Sequence, residues 1–281
     1  TRARILLNQK ICEDFFRMVL NLEDFKEQIK PGQFFHIRAG SGYDPLLRRP
    51  LSVHRIGNKL HEIEILYKVV GAGTTLLSRR SRGTYLDVIG PLGNGFKINK
   101  NQSNFILVAG GMGVAPLMAL CDELARFRKK NITVIIGACS ANHILCYKEF
   151  KELKADVVCV TEDGSSHQKG LATDVLADVI KEFDLRVTSG PKADKKTSGI
   201  TIGDYHPQVM VYACGPYGML KKAAEICKHY RVSAQGSFEE RMGCGLGACL
   251  GCVIKTKDGY KRVCKDGPVF DFCLLYTSDA A

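Results

Sequence analysis

The 281-residue chain contains no tryptophan, an absence that by itself excludes nothing. Other absences say more. No run of apolar residues reaches the 20 or so that a membrane helix needs. The longest weakly charged stretch, Phe105 to Cys121, is interrupted by Gly110, Gly111, Gly113 and Pro116, which a phosphate-binding loop explains better. Basic residues form no run beyond local clusters such as Arg79-Arg80-Ser81-Arg82 and Lys192 to Lys196. There is no zinc-finger spacing, no RNA-binding aromatic motif and no arginine-rich tail. The formal net charge of +11 therefore reads as a solvated surface suited to phosphate-bearing cofactors, and no nucleic-acid partner is expected. The seven histidines form no H-x-H or H-E-x-x-H pattern, so none is assigned to a metal. No internal repeat is visible. No signal peptide precedes Thr1-Arg2-Ala3-Arg4, and there is no initiator Met.

What is present is a globular composition, 45% hydrophobic and 25% charged, long enough for a substantial core in one to three domains. Twelve cysteines raise the question of a secreted disulfide framework. Four of them crowd into one window near the C-terminus, and no export signal accompanies them. The expectation is a reduced, cytoplasmic protein without membrane spans.

The first hundred residues read as short strands between turns. Ile29 to Gln33 is a turn before the apolar strand Phe34-Phe35-His36-Ile37. His61 to Tyr67 alternates, with Ile63, Ile65 and Tyr67 on one face. Such spacing predicts a small antiparallel β-barrel. From Asn104 the pattern changes. Phe105 to Ala109 is a continuous apolar run, as in a buried parallel strand. A glycine turn follows, then a helix with Pro116 near its start and Leu117, Leu120, Cys121, Leu124 and Phe127 recurring down to Lys130. Further strands are predicted at Ile132–Ala138, Val157–Thr161 and Val209–Ala213, and helices at Leu171–Phe183 and Tyr217–His229. This alternation predicts an α/β domain with a parallel sheet. A polar segment at 186–208 reads as an exposed insertion.

Cys244, Cys249, Cys252 and Cys264 are spaced C-x4-C-x2-C-x11-C, the plant-type 2Fe–2S arrangement. The residues between them, Gly245-Leu246-Gly247-Ala248 and Leu250-Gly251, are nearly all small. Glycines let the chain take positive φ and bring its amides close to the cluster sulfurs. Structural zinc is the competing reading, but it usually takes two C-x2-C pairs and only Cys249/Cys252 fits one. The other eight cysteines read as small buried hydrophobes.

Two nucleotide sites are expected. Gly110-Gly111-Met112-Gly113 lies between a strand and a helix, where glycines admit a pyrophosphate to the helix N-terminus. Cys214-Gly215-Pro216 is a second strand-to-helix turn at the same edge of the sheet. The segment after the next strand, Gly137 to Asn142, carries no cation for a 2′-phosphate, which favours NAD over NADP. In the barrel, Arg48 and Arg49 offer guanidiniums to a pyrophosphate, and Ser52 a hydroxyl to a flavin nitrogen. Val70 to Leu76 reads as a glycine turn opening a short helix. Each of the barrel motifs alone is equally an ordinary surface loop.

Arg49-Pro50-Leu51-Ser52, Gly71-Ala72-Gly73-Thr74, Gly110 to Pro116 and Cys214-Gly215-Pro216 together resemble the ferredoxin–NADP reductase superfamily. The stretch Phe238 to Cys244 and on to Phe270 is similar, more narrowly, to the electron-transfer subunits of NAD-linked dihydroorotate dehydrogenase. The resemblance covers Ala3 to Asp271. It implies an oxidoreductase subunit of pyrimidine biosynthesis with FAD, a 2Fe–2S cluster and NAD. It also implies an FMN-containing catalytic subunit as partner, in a heterotetramer. That subunit would oxidise dihydroorotate, and its electrons would pass through cluster and FAD to NAD⁺. By the same resemblance Arg49, Pro50, Leu51, Ser52, Leu66, Tyr67, Lys68, Gly73 and Thr74 would hold FAD, Gly110, Gly111, Gly113, Cys214, Gly215 and Pro216 the NAD, and the four cysteines the cluster. No side chain is expected to act as general acid or base.

The expected organisation is an FAD-binding barrel (1–100), an NAD-binding α/β domain (101–232), a 2Fe–2S module (233–271) and a tail unlike the resembled family (272–281), expected to be non-native. Two readings stay open beside it. One keeps the cofactors but serves a sulfide dehydrogenase, bifurcating transhydrogenase, sulfite reductase or hydrogenase. The other is a zinc-stabilised nucleotide-binding module without redox activity.

Overall fold

The computed structural model describes the chain except residues 24, 41, 58–60, 190–208 and 276–281, and except the side chains of 184–189. The first six strands are β1 (Arg2–Cys12), β2 (Phe15–Leu22), β3 (Phe34–Ile37), β4 (Arg49–Ile56), β5 (Glu62–Lys68) and β6 (Tyr85–Leu92). They close a barrel in the order β1-β2-β5-β4-β3-β6, all pairs antiparallel. Closure follows from the period-two pattern. Ile63, Ile65 and Tyr67 point inward with Ile5, Met18, Leu20, Phe35 and Val88, all essentially without exposure. Each such side chain stabilises the fold by about 1.5–3 kcal/mol relative to an exposed one. A short helix, α1 (Ala72–Ser78), closes one side.

The second layer system is a seven-stranded sheet. Its strands are β7 (Asn104–Gly110), β8 (Asn131–Ala138), β9 (Asp156–Thr161), β10 (Gln168–Lys169), β11 (Val209–Cys214), β12 (Ser233–Ser237) and β15 (Val269–Asp271), in the order β10-β9-β8-β7-β11-β12-β15. All pairs are parallel except β12/β15. The central run Phe105 to Ala109 is buried on both faces. Phe105 and Leu107 pack towards α2 (Val114–Leu124) and α3 (Tyr147–Glu152), and Ile106 and Val108 towards α4 (Ala172–Ser189) and α5 (Tyr217–His229).

Helix α2 is buried almost all round, with Val114 to Cys121 and Leu124 inaccessible. It is sandwiched between the sheet and barrel strand β4, where His54 Nδ1 pairs with the carbonyl of Ala115 at 3.2 Å. It ends at Leu124, short of the expected Lys130, because Phe127 folds back in a turn whose amide bonds the Leu124 carbonyl. Helix α4 runs the other way, past the expected Phe183 to Ser189. The rest of the expected insertion, 190–208, lies outside the described residues.

The segment after 232 is not detached. β12 and β15 are strands of the large sheet, and between them β13 (Val253–Thr256) and β14 (Gly259–Arg262) form a separate hairpin. Residues 272–275, the first part of the segment expected to be a non-native tail, pack into the fold. Phe272 and Leu275 are buried in the core with Phe238 and Phe270, and Lys257 bonds the carbonyls of Leu274 and Cys273. The remaining tail, 276–281, lies outside the described residues. Among the described residues no helix is long and apolar enough to cross a membrane.

Candidate cofactor sites

β7 and β11 are neighbours, and the chain leaves them in opposite directions across the sheet, β8-β9-β10 to one side and β12 to the other. The loops after these two strands therefore flank a topological switch point, where open α/β sheets bind ligands. They are Gly110-Gly111-Met112-Gly113 and Cys214-Gly215-Pro216, the two turns expected to hold NAD. A Cβ on Gly110 would stand 2.7 Å from the Met219 sulfur and 2.8 Å from Pro216. Gly111 takes φ 52° with open space beside it, so the turn is open where a phosphate would approach. Beyond β8, the Cys139 thiol donates towards the Glu162 carboxylate at 3.7 Å. An anion at that place disfavours a 2′-phosphate.

In the barrel the two adjacent arginines part company. Arg48 is tied to Asp87 by a 2.5 Å ion pair and a 2.8 Å bond to its carbonyl. Arg49 donates to the Leu47 carbonyl at 2.5 Å and lies across Gly73, where any Cβ would overlap the guanidinium. The Thr74 hydroxyl accepts from Val70 N at 2.9 Å and donates to Gly71 O at 3.0 Å. Thr74 thus caps α1, with Arg49 lying across its first turn at Gly73. Pro50 and Ser52 are half-buried on β4, and Leu51 packs against the barrel core. Tyr67 faces into the barrel, its hydroxyl donating to Asn8 at 2.9 Å, and burial raises its pKa. Leu66 is buried against the sheet-side core, and the Lys68 ammonium sits over the Phe15 ring at 5.2 Å. The 66–68 stretch offers a ligand mainly its backbone.

The four cysteines come together as two pairs. Cys244 Sγ accepts the amides of Leu246 at 3.3 Å and Cys249 at 3.5 Å. These amides, with that of Ala248, draw its pKa down to about 6. Cys252 Sγ accepts the Cys264 amide at 3.4 Å, and burial beside Cys252 pushes the Cys264 thiol up. Gly243 and Gly251 flank Cys249 Sγ, where a Cβ would make ordinary contact at 3.4 and 3.5 Å. Gly245 and Gly247 take φ 73° and 82°, which a side chain would strain. Among the described residues no three His, Cys, Asp or Glu side chains surround one point as ligands of a single ion would. A binuclear cluster asks instead for two thiolates on each iron. The two pairs, the small residues and the sulfur-directed amides fit it.

The module continues the large sheet through the β11/β12 pairing and is fastened to the barrel segment by side-chain bonds. Asn94 Nδ2 donates to the carbonyls of Lys265 and Asp266, and Gln235 bonds both the amide and the carbonyl of Lys97. Phe34 of β3 lies in the same core as Cys252, Val263 and Cys264. Beside it is His36, which sequence reasoning left as one residue of an apolar strand. Nothing in a single sequence marks it, since its environment is built by segments some 200 residues away.

Two domain families match: the iron–sulfur cluster binding domain of dihydroorotate dehydrogenase B over residues 239–275, and the oxidoreductase NAD-binding domain over residues 107–225. The first match includes residues 272–275. Over 272 residues the chain is 36% identical to the dihydroorotate dehydrogenase B (NAD(+)) electron transfer subunit of Desulforamulus reducens, covering 95% of each chain. The subunit of the same name from a Geobacillus species is 36% identical over 271 residues, 95% of this chain and 94% of the other. Among solved structures, the NADH-dependent reduced ferredoxin–NADP oxidoreductase of flavin-based electron bifurcation superposes with TM-score 0.77. It is 28% identical and covers 98% of this chain and 89% of its own. The ferredoxin reductase of a carbazole 1,9a-dioxygenase, 19% identical with TM-score 0.64 over 82% of this chain and 65% of the other, shares the fold. The cofactor set that these domains, this fold and the cysteine geometry support is FAD, a 2Fe–2S cluster and NAD. At 36% identity over 95% of each chain, and with the iron–sulfur domain matched over residues 239–275, the chain belongs to the electron-transfer subunits of NAD-linked dihydroorotate dehydrogenase B, an oxidoreductase family.

Proposed function

We propose that this chain docks on an FMN-containing catalytic subunit that oxidises dihydroorotate, in a cytoplasmic heterotetramer, and delivers the electrons to NAD⁺. Arg49 and the first turn of α1 neutralise the FAD pyrophosphate. Pro50, Leu51 and Ser52, with the backbone of Leu66 to Lys68 and with Gly73 and Thr74, shape the flavin wall. Gly110, Gly111 and Gly113 with Cys214, Gly215 and Pro216 admit the nicotinamide nucleotide. Cys244 with Cys249 and Cys252 with Cys264 ligate the cluster. When bound, the cluster carries single electrons and the flavin matches them to the two-electron chemistry of nicotinamide. No side chain needs to act as acid or base; the residues position, neutralise charge and exclude water.

The observation that carries this reading is a shared wall. Strands β3 and β4 pair Phe34 with Ser52 and His36 with Pro50, Phe34 belongs to the same buried core as Cys252 and Cys264, and Gly245 of the cysteine loop is seated on the His36 ring. The strand pair assigned to flavin is thus the one against which the cysteine module is built.

The test mixes anaerobically prepared protein with the FMN-containing subunit from the same genome and follows NADH at saturating dihydroorotate. NADH should appear only with both subunits and vanish with Cys249→Ser. A flavin- and cluster-loaded chain that yields no NADH, with a partner active towards artificial acceptors, would instead favour a different electron donor. The likeness to the ferredoxin–NADP oxidoreductase makes that the second arm to try.

A further inference from the structure

His36 is 1% exposed, and neither of its ring nitrogens has a hydrogen-bond partner among the described residues. A buried, unsatisfied imidazole costs about 1–3 kcal/mol, so its retention in a packed strand asks for an acceptor. Its surroundings say where that acceptor belongs. On one side is the cysteine loop: a Cβ on Gly245 would stand 2.5 Å from His36 Nδ1, so the ring is seated on the residue following Cys244. The strand partner of His36 is Pro50, next to Arg49 and two residues from Ser52. The carbonyls of Cys244 and Arg48 both face the ring without reaching hydrogen-bond geometry. The imidazole therefore stands between the cluster loop and the strand assigned to FAD.

We propose that His36 is a positioning residue for electron transfer, whose ring donates an N–H hydrogen bond to a sulfur of the cluster held at Cys244 and so fixes the cluster against the flavin wall. Neither backbone carbonyl beside the ring completes a bond to it, and a cluster sulfur held at Cys244 would lie on the side where Gly245 meets Nδ1. Gly245 at φ 73° is what allows the loop to descend onto the ring. The inference rests on the reading that the four cysteines hold a 2Fe–2S cluster. A wild-type protein without the EPR signal of a reduced 2Fe–2S centre would defeat that reading before His36 is touched.

The test uses the full FAD- and cluster-loaded chain. Protein labelled with ¹⁵N-histidine is reduced with dithionite and examined by pulsed EPR, where a weak ¹⁵N coupling to the cluster is expected and should disappear in His36→Gln. His36→Leu, which keeps bulk but no N–H, should retain iron and sulfide. It should shift the g-values and midpoint potential of the cluster and slow its reduction by NADH about tenfold. His36→Gln, which keeps an N–H, should restore the rate and potential at least in part. No histidine coupling in the wild-type protein would overturn the proposal. So would a His36→Leu chain with unchanged g-values, potential and rate, or a His36→Gln chain as impaired as His36→Leu.

Discussion

Gly113 lies directly against the carbonyl of Cys214, so closely that a Cβ on Gly113 would overlap it. The two residues sit in the loops that follow adjacent parallel strands β7 and β11, and their contact holds the two halves of the switch-point crevice together. Gly113 has ordinary helical φ of −58°, so glycine is required there by space and not by backbone conformation.

Gly113→Ala should therefore act by steric push alone. Overpacking of this kind costs about 1–3 kcal/mol, and the melting temperature should fall by about 2–10 °C. Since the displaced loop is the one assigned to NAD, the KM for NADH in ferricyanide reduction should rise more than about tenfold while FAD and iron contents stay unchanged. An unaltered KM would remove this loop from the nucleotide site.

Arg48 and Arg49 are adjacent in sequence but unequal in availability, because Arg48 is already paired with Asp87 and Arg49 reaches over Gly73. Arg49→Ala should weaken FAD binding about ten- to hundredfold, the loss of one charge-assisted contact of about 1.5–3 kcal/mol. Arg48→Ala should change it much less. Fluorescence titration of the apoprotein with FAD separates the two.

Removing the cluster should uncouple the chain without disabling its nucleotide chemistry, because the cysteines and the switch-point loops lie on different segments. Cys252→Ser protein should keep NADH–ferricyanide activity within about twofold and lose dihydroorotate-driven NADH formation. Loss of both activities would mean that the cysteine module holds the flavin wall in shape.

His54 is 3% exposed, and burial holds its pKa down, from 6.5 to about 4. The folded chain keeps it neutral, whereas the unfolded chain protonates it near 6.5. Its stabilising contribution is thus complete above about pH 6.5 and lost as the pH falls towards 4. The loss approaches about 3 kcal/mol, at 1.36 kcal/mol per pK unit. Urea unfolding between pH 7 and 4 should show this decline, and His54→Phe should flatten it. Because the ring bonds Ala115 at the start of α2, the decline should coincide with loosening between barrel and sheet.

Much of the architecture was legible in the residues. The period of two in Glu62–Lys68 and the apolar run at 105–109 announce a half-buried and a fully buried strand, because burial on one or two faces leaves those patterns in any sequence. The cysteine spacing announces its chemistry for a similar reason: ligands on one loop must be close in sequence. Helix ends were less legible. Phe127 continues the helical period beyond Leu124, but it is tertiary space that decides whether the chain keeps coiling. The burial of Phe272 and Leu275 was not legible either, since the core that receives them is built by distant segments.

The barrel-then-sheet order was set by the sequence alone, as were the positions of the two glycine turns and the spacing of the four cysteines, since each is a local pattern with a local physical cause. The tertiary structure alone decided that Arg48 is taken up by Asp87 while Arg49 lies across Gly73. It also decided that His36 is pinned beneath Gly245. These depend on contacts between segments far apart in the chain, and no local pattern encodes which distant backbone will close over a side chain.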